Sequence, residues 1–320
     1  MNSGSPARIR RAEPGDLGAV VDLLNACDVA ELGAPDTTIE DVENDWRAEG
    51  FDLSADAWVA IANQGGVVGY AYTGDQLRSG QLEADFWTHP DHAEADLSAR
   101  LLRLAERRAR ELARRGEYDE AFLEVYALAA NTGKVELLRR HGYALSHTIY
   151  RMAVDLDEQP AVPPLSNGVA VRRFRAGHDE RPLYDAMRLA FADDRRRSDE
   201  PYAAWTARLT QHADFDPGLW FVACVADQIV GAVVAYDHGD LGWIRTLGVR
   251  PEWRRRGVGG ALLGQALEEL RRHGQRHVEL GVDAQNTTQP LRLYERAGFR
   301  VTFAYASYVK PLTQAAVSSR

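Results

Sequence analysis

Cysteine is nearly missing from this chain: Cys27 and Cys224 are the only two among 320 residues, one in each half. That excludes a disulfide framework, suits a reducing compartment, and leaves the core to close by burial alone. No apolar run is long enough to cross a bilayer, and Met1-Asn-Ser-Gly-Ser-Pro6 lacks the apolar segment of a signal peptide, so a soluble, cytoplasmic chain is expected. Positive charge is also in short supply. With 38 Lys and Arg against 47 Asp and Glu, the formal charge is −9, and no overall basic field exists to hold nucleic acid or an anionic membrane. Metal ligands are sparse as well: His89 and His92 flank Pro90 in a loop-forming run with no Cys or third His close by, and no metal is expected.

What is present is a repeat. Ile9-Arg-Arg-Ala12 leads through Gly15-Asp16 into an apolar helical stripe, and Val171-Arg-Arg-Phe174 leads through Gly177-His-Asp179 into another. The pair of β-branched runs at Trp58 and Val67 recurs at Trp220 and Ile229 as a second hairpin. Thr88-His-Pro90 before the helix 97–113 corresponds to Val249-Arg-Pro251 before the helix 258–273. Each copy then adds a strand and a helix closing on His141-Gly-Tyr143 or Ala297-Gly-Phe299. The Pro-rich stretch 158–168 has no periodicity and reads as a linker, which divides the chain into 1–157 and 169–320.

The second copy contains an extended run ending in Leu247, Gly248 and Val249, then Pro251, then Arg254, Arg255, Arg256, Gly257, Val258, Gly259 and Gly260, where a helix starts. A helix start offers unpaired N–H groups and a positive dipole end, and glycines let a diphosphate reach the backbone. No Gly-Lys-Ser/Thr closes the loop as in a P-loop. Downstream, Asn286 precedes Leu291-Arg-Leu-Tyr294-Glu-Arg-Ala-Gly-Phe299 and is expected to cap a helix.

These two segments resemble the coenzyme-binding and closing signatures of the GNAT acetyltransferase superfamily, and the duplicated chain is similar to its tandem double-domain type, such as mycothiol synthase. The resemblance implies an α/β (α+β, mixed-sheet) fold: two tandem domains, each a mixed, mostly antiparallel twisted sheet flanked by helices. It implies acetyl-CoA as cosubstrate, held by 254–260 with Asn286, an acetyl oxygen bound by backbone N–H groups at 247–249, and Tyr294 facing the thioester sulfur. A phenol of pKa about 10 is close enough to a thiol near 8.5 to act as its acid; the other reading of Tyr294 is a core aromatic with a bonded hydroxyl. Relatives often carry a carboxylate base on the central strand, but 242–249 has none, which counts against mycothiol chemistry itself. Asp237, His238 and Asp240 are weak substitutes for the base, and a polar turn is the plainer reading of them.

The first copy has lost both signatures. Ala93, Asp96 and Ser98 replace the arginine and glycines, and Leu138 stands where the second copy has Tyr294. Arg103 to Arg115 reads as an ordinary solvated helix face. The expected activity is N-acetyl transfer to the primary amine of a small molecule by direct attack on the thioester. The rivals are a protein or peptide N-acetyltransferase and a non-catalytic acyl-CoA-binding regulatory module. A small-molecule amine is the expected partner, a cationic one if the acidic residues of the loop 191–202 prevail over Arg195 to Arg197, and the chain is taken as a monomer or homodimer.

Overall fold

The computed structural model describes residues 6–75, 78–92, 96–156, 168–192, 200–212, 214–239, 241–286, 288 and 290–313. Asp240, all of the linker but Gly168, and 193–199 lie outside these. Contacts divide the chain into two units, Met1–Thr148 with Tyr305–Arg320, and Ile149–Ala304. Among the described residues no helix is long and apolar enough to cross a membrane.

The first unit runs β1 (Arg8–Arg11), α1 (Leu17–Leu32), α2 (Ile39–Trp46), α3 (Leu53–Asp56), β2 (Ala57–Ile61), β3 (Val67–Gly74), β4 (Gln81–Thr88), α4 (Leu97–Arg115), β5 (Phe122–Leu128) and α5 (Thr132–Arg140). After β6 (Ala144–Asp155) the second unit repeats the order with β7 (Ala170–Arg173), α6 (Glu180–Ala190), α7 (Tyr202–Thr210), β8 (Phe221–Val225), β9 (Gln228–Asp237), β10 (Gly242–Val249), α8 (Val258–Arg272), β11 (His277–Asp283) and α9 (Leu291–Arg296), and β12 (Arg300–Pro311) follows.

Both sheets are mixed. In the first, β1, β2, β3 and β4 pair antiparallel in turn, β4 pairs parallel with β5, and β5 pairs antiparallel with the second half of β12, Tyr305 to Pro311. In the second, β7, β8, β9 and β10 repeat the antiparallel series, β10 pairs parallel with β11, and β11 pairs antiparallel with the second half of β6, Ile149 to Asp155. Each sheet thus takes its sixth strand from the other half of the sequence. The expected division at 157 and 169 follows the chain, whereas the contact units cross it, because pairing along β5 and β11 selects partners far away in sequence.

The repeat extends to side chains. Arg10 forks onto Asp16 at 2.6 and 2.7 Å, and Arg172 onto Asp179 at 2.5 and 3.0 Å, each tying the first strand of its unit to the start of the first helix. In α8, Val258, Leu262, Ala266 and Leu270 form the expected apolar stripe, all 1% exposed or less, and the other face of the sheet is covered by α6. Burying such a stripe at about 25 cal/mol per Å² is what holds a helix of this length on its sheet.

Candidate active site

The second unit has a wedge between β10 and β11. Their parallel pairing covers only Gly242–Ile244 against Val278–Leu280, and the register of β10 on β9 slips between Ile244 and Thr246. The bulge at Arg245 turns the rest of β10 away from β11. Arg250 N–H donates to Val230 O at 2.9 Å on the β9 side. Alternation along an extended strand puts the Gly248 N–H on that side too, and aims the N–H groups of Leu247 and Val249 into the wedge. These two donors have no ladder partner on β11.

At the mouth of the wedge α8 begins. Gly257 sits at its N-cap with φ +81°, no side chain caps the helix, and the first intrahelical bond is Ala261 N–H to Gly257 O at 3.0 Å. The N–H groups of Val258, Gly259 and Gly260 therefore have no acceptor within the helix. A Cβ on Gly259 would stand 3.3 Å from Leu293 Cδ2 and 3.7 Å from Val249 Cγ2, so this glycine lets α8 approach both β10 and α9. The three arginines divide their tasks. Arg254 turns inward, its Nε on Val249 O at 3.2 Å and its Nη2 on Ala190 O at 2.8 Å, locking the strand end to α6. Arg256 lies 4.8 Å over the Trp253 ring. Arg255, at φ +60°, is exposed. The backbone, Arg255 and the exposed Arg256 are what the loop presents outward.

Tyr294 is 7% exposed on α9, edge-on to Phe299 at 5.9 Å. Its hydroxyl makes no hydrogen bond with a described residue, unlike a core tyrosine with a bonded hydroxyl. Burial pushes the phenol up to about 12. Asn286 does not cap α9: Pro290 holds the N-cap position, and the Asn286 side chain accepts from Thr288 N–H at 2.9 Å and Thr288 hydroxyl at 2.7 Å. The interval to the helix is too long for it to reach the first turn.

Asp237 and His238 are not brought to the wedge. They lie at the turn from β9 into the start of β10, about 16 Å from Leu247 at 3.3 Å per residue. Asp237 accepts from Gly239 N–H and the Gln275 side chain, and His238 pairs with Asp214. Both serve the turn, while Asp240 lies outside the described residues. A carboxylate missed in the sequence does stand at the apex. Glu279 is in register with Trp243. A Cβ on Gly242 would meet Leu270 of α8, and one on Gly248 would meet Met187 of α6, so alternation puts Trp243 and Glu279 on the α6 face. Arg151, 4.2 Å over the Trp243 ring, and His277, at 3.1 Å, hold the carboxylate. Only its place in the strand alternation of 277–283 signals it.

The first unit's strands also part, though β4 carries no bulge on β3, with β4 and β5 paired only at Gln81–Glu83 against Phe122–Glu124. Here the wedge is filled. Phe86 N–H, the counterpart of Leu247 N–H, donates to Asp85 Oδ1 at 2.7 Å. Lys134 pairs with that carboxylate and lies 4.8 and 5.3 Å over the Phe86 and Trp87 rings. Leu138 is fully buried, and Ser98 and Thr88 hydroxyls meet at 3.1 Å.

A profile of the acetyltransferase (GNAT) family matches residues 182–299. A mycothiol acetyltransferase of Geodermatophilus obscurus is 31% identical over 307 residues, 91% of this chain and 93% of its own. One from Saccharopolyspora erythraea is 28% identical over 78% and 84% of the two chains. A solved GCN5-related N-acetyltransferase of Sphaerobacter thermophilus superposes with a TM-score of 0.84 at 32% identity, over 96% of each chain. A tandem GNAT protein from the clavulanic acid biosynthesis pathway shares the fold, with a TM-score of 0.71 at 17% identity, over 96% of this chain and 99% of its own. With likeness along almost its whole length, the chain is a member of the GNAT family of N-acetyltransferases and an acyltransferase enzyme.

Proposed function

We propose that the second unit transfers the acetyl group of acetyl-CoA to the primary amine of a small molecule, and that the first unit has lost this reaction. The observation that carries the reading is the contrast between the wedges: Leu247 and Val249 offer free N–H groups, where the first unit ties up Phe86 N–H with Asp85. The start of α8 supplies the donors and field for the coenzyme's diphosphate, helped by Arg255.

The amine attacks the thioester carbon directly. As the C–N bond forms, negative charge develops on the acetyl oxygen, and the N–H groups of Leu247 and Val249 stabilise it. Glu279, about 13 Å along the strand from Leu247 by its register with Trp243, takes the amine's proton through water. The C–S bond then breaks, and the departing sulfur accepts a hydrogen bond from Tyr294. With the phenol up at about 12, Tyr294 stays protonated at every working pH. Outright transfer to a thiolate whose acid is near 8.5 is uphill by roughly 3.5 units, so its contribution is chiefly the hydrogen bond.

Relatives that are mycothiol acetyltransferases support a small-molecule acceptor. The expected preference for cations gains no support from Glu200, the one acidic residue of that loop among those described, because Arg208 holds its carboxylate at 2.8 and 3.1 Å. The test is a screen of primary amines with acetyl-CoA, reading thiol release and acetylated product. Turnover with small amines and none with peptide N-termini is expected; the reverse, or coenzyme binding without turnover for any amine, would replace the proposal.

A further inference from the structure

Helix α4 carries arginine at 100, 103, 107, 110 and 114, one face of the helix, with Arg100 to Arg110 spanning about 15 Å. The sequence suggests an ordinary solvated face there. The structure leaves Arg103 and Arg107 exposed there and adds an open groove of about 620 Å³ in the first unit, lined by Ile9 of the edge strand β1 and by Arg100, Arg103, Leu104, Arg107 and Arg110. Its apolar lining is Ile9 and Leu104, both half-buried, and its rim is guanidinium.

The rim is only partly neutralised from within. Arg103 reaches Asp96 at 3.1 Å and Arg110 reaches Glu106 at 3.3 Å, but Glu106 also serves Lys310 at 2.8 Å. Arg100 and Arg114 donate to backbone oxygens of Ala7 and Arg110. Arg107 is exposed and makes no hydrogen bond or ion pair with the described residues. Repulsion is already felt next door: Arg11, stacked 4.3 Å over Trp58, is held below its ordinary value by burial, by Arg108 and, more weakly, by Arg107. Like charges at this spacing work against the helix, and a bound anion offsets them.

We propose that the groove is a second ligand site, separate from the acetyl-transfer site, for a small molecule with two or three linked phosphates on a flat body, of the nucleoside triphosphate class. Guanidinium forks match phosphate oxygens two at a time. Arg103 and Arg107 are about 6 Å apart along the helix axis, the span of a short phosphate chain. Ile9 and Leu104 give a planar base an apolar seat, and the volume lies within the about 300–1,000 Å³ of small-molecule sites. The reading of the second unit's site does not enter this inference.

The test is calorimetric titration of the full chain with ATP, inorganic triphosphate and adenosine as probes. ATP is expected to saturate one site more tightly than triphosphate, adenosine to give no measurable binding, and the ATP affinity to fall as salt is raised. Arg103→Gln with Arg107→Gln, both at exposed positions, should weaken ATP by about tenfold or more and leave acetyl transfer without ATP unchanged. Gly257→Asp should leave ATP binding intact, because the groove is not the coenzyme loop. No saturable ATP binding, an affinity indifferent to the double substitution, loss of ATP binding in Gly257→Asp, or adenosine binding as tightly as ATP would each overturn the proposal.

Discussion

Replacing Tyr294 by Phe removes one oxygen and keeps the ring that packs on Phe299. Since the hydroxyl makes no hydrogen bond with a described residue, folding has little to lose, and the unfolding free energy should stay within about 0.5 kcal/mol of the parent. Catalysis should respond. A hydrogen bond to a charged group contributes roughly 1.5–3 kcal/mol, which is about 10- to 150-fold in rate. General acid catalysis with full proton transfer would put the loss at about 10²- to 10⁴-fold, and a phenol held up at about 12 favours the lower range. Single-turnover acetyl transfer, read as thiol release, separates this step from product release. The pH profile adds a check: Tyr294 stays protonated until pH approaches about 12, so kcat/KM should rise as the amine deprotonates and show no fall near pH 10. An unchanged single-turnover rate, a falling limb near pH 10, or a stability loss beyond about 1 kcal/mol would refute the reasoning.

Gly257→Asp puts a carboxylate and a Cβ at φ +81° on the α8 N-cap; coenzyme A affinity should drop at least about tenfold by calorimetry, with one site per chain in the parent. Gly248→Ala would bring a Cβ to 2.8 Å from Met187 Sδ and 3.0 Å from Phe191 Cε2, so denaturant titration should show a loss of about 1–3 kcal/mol, with kcat/KM falling as β10 shifts. Glu279→Gln should lower kcat for a primary amine while coenzyme A affinity measured by calorimetry holds; an unchanged kcat would remove Glu279 from the proposed mechanism. Arg10 holds the Asp16 carboxyl below its usual value, and Arg172 does the same for Asp179 against the opposing effect of burial. Their stabilisation is full above the unfolded carboxyl pKa near 3.9 and is lost as pH falls through the lower folded values. Urea midpoints in Asp179→Asn should fall less steeply below pH 4 than in the parent.

Local signals carried most of the architecture. The apolar stripe of α8, the two hairpins and the glycines at 257 and 259 are short-range patterns, and their positions follow from period and turn chemistry. Tyr294 was singled out only through the resemblance of Leu293-Tyr-Glu295 and Gly298-Phe299 to a family signature, and the structure buries it on α9. Three features were not. Arg254 looks like a free cation, but the oxygens of Val249 and Ala190 that capture it are brought together only by folding. Asn286 has the chemistry of a cap, yet Pro290 occupies the site. Glu279 acquires meaning only from its register with Trp243 across a parallel pair. The sixth strands were harder still, since alternation in 144–155 and 300–311 says that each is a strand and not which neighbour it joins.

That exchange bears on how the chain is made. During synthesis the first unit emerges with β5 lacking its neighbour on one side, because Tyr305 to Pro311 leaves the ribosome long after the rest of that unit. Until then β5 presents an unpaired edge of alternating Leu123, Val125 and Ala127, open to any extended segment, including the nascent β6. Ribosome-bound chains halted before β12 should therefore be protease-sensitive at β5, and release should be followed by a slow ordering step set by closure of a loop of nearly two hundred residues. A strand made long after β5 thus times the maturation of the first unit.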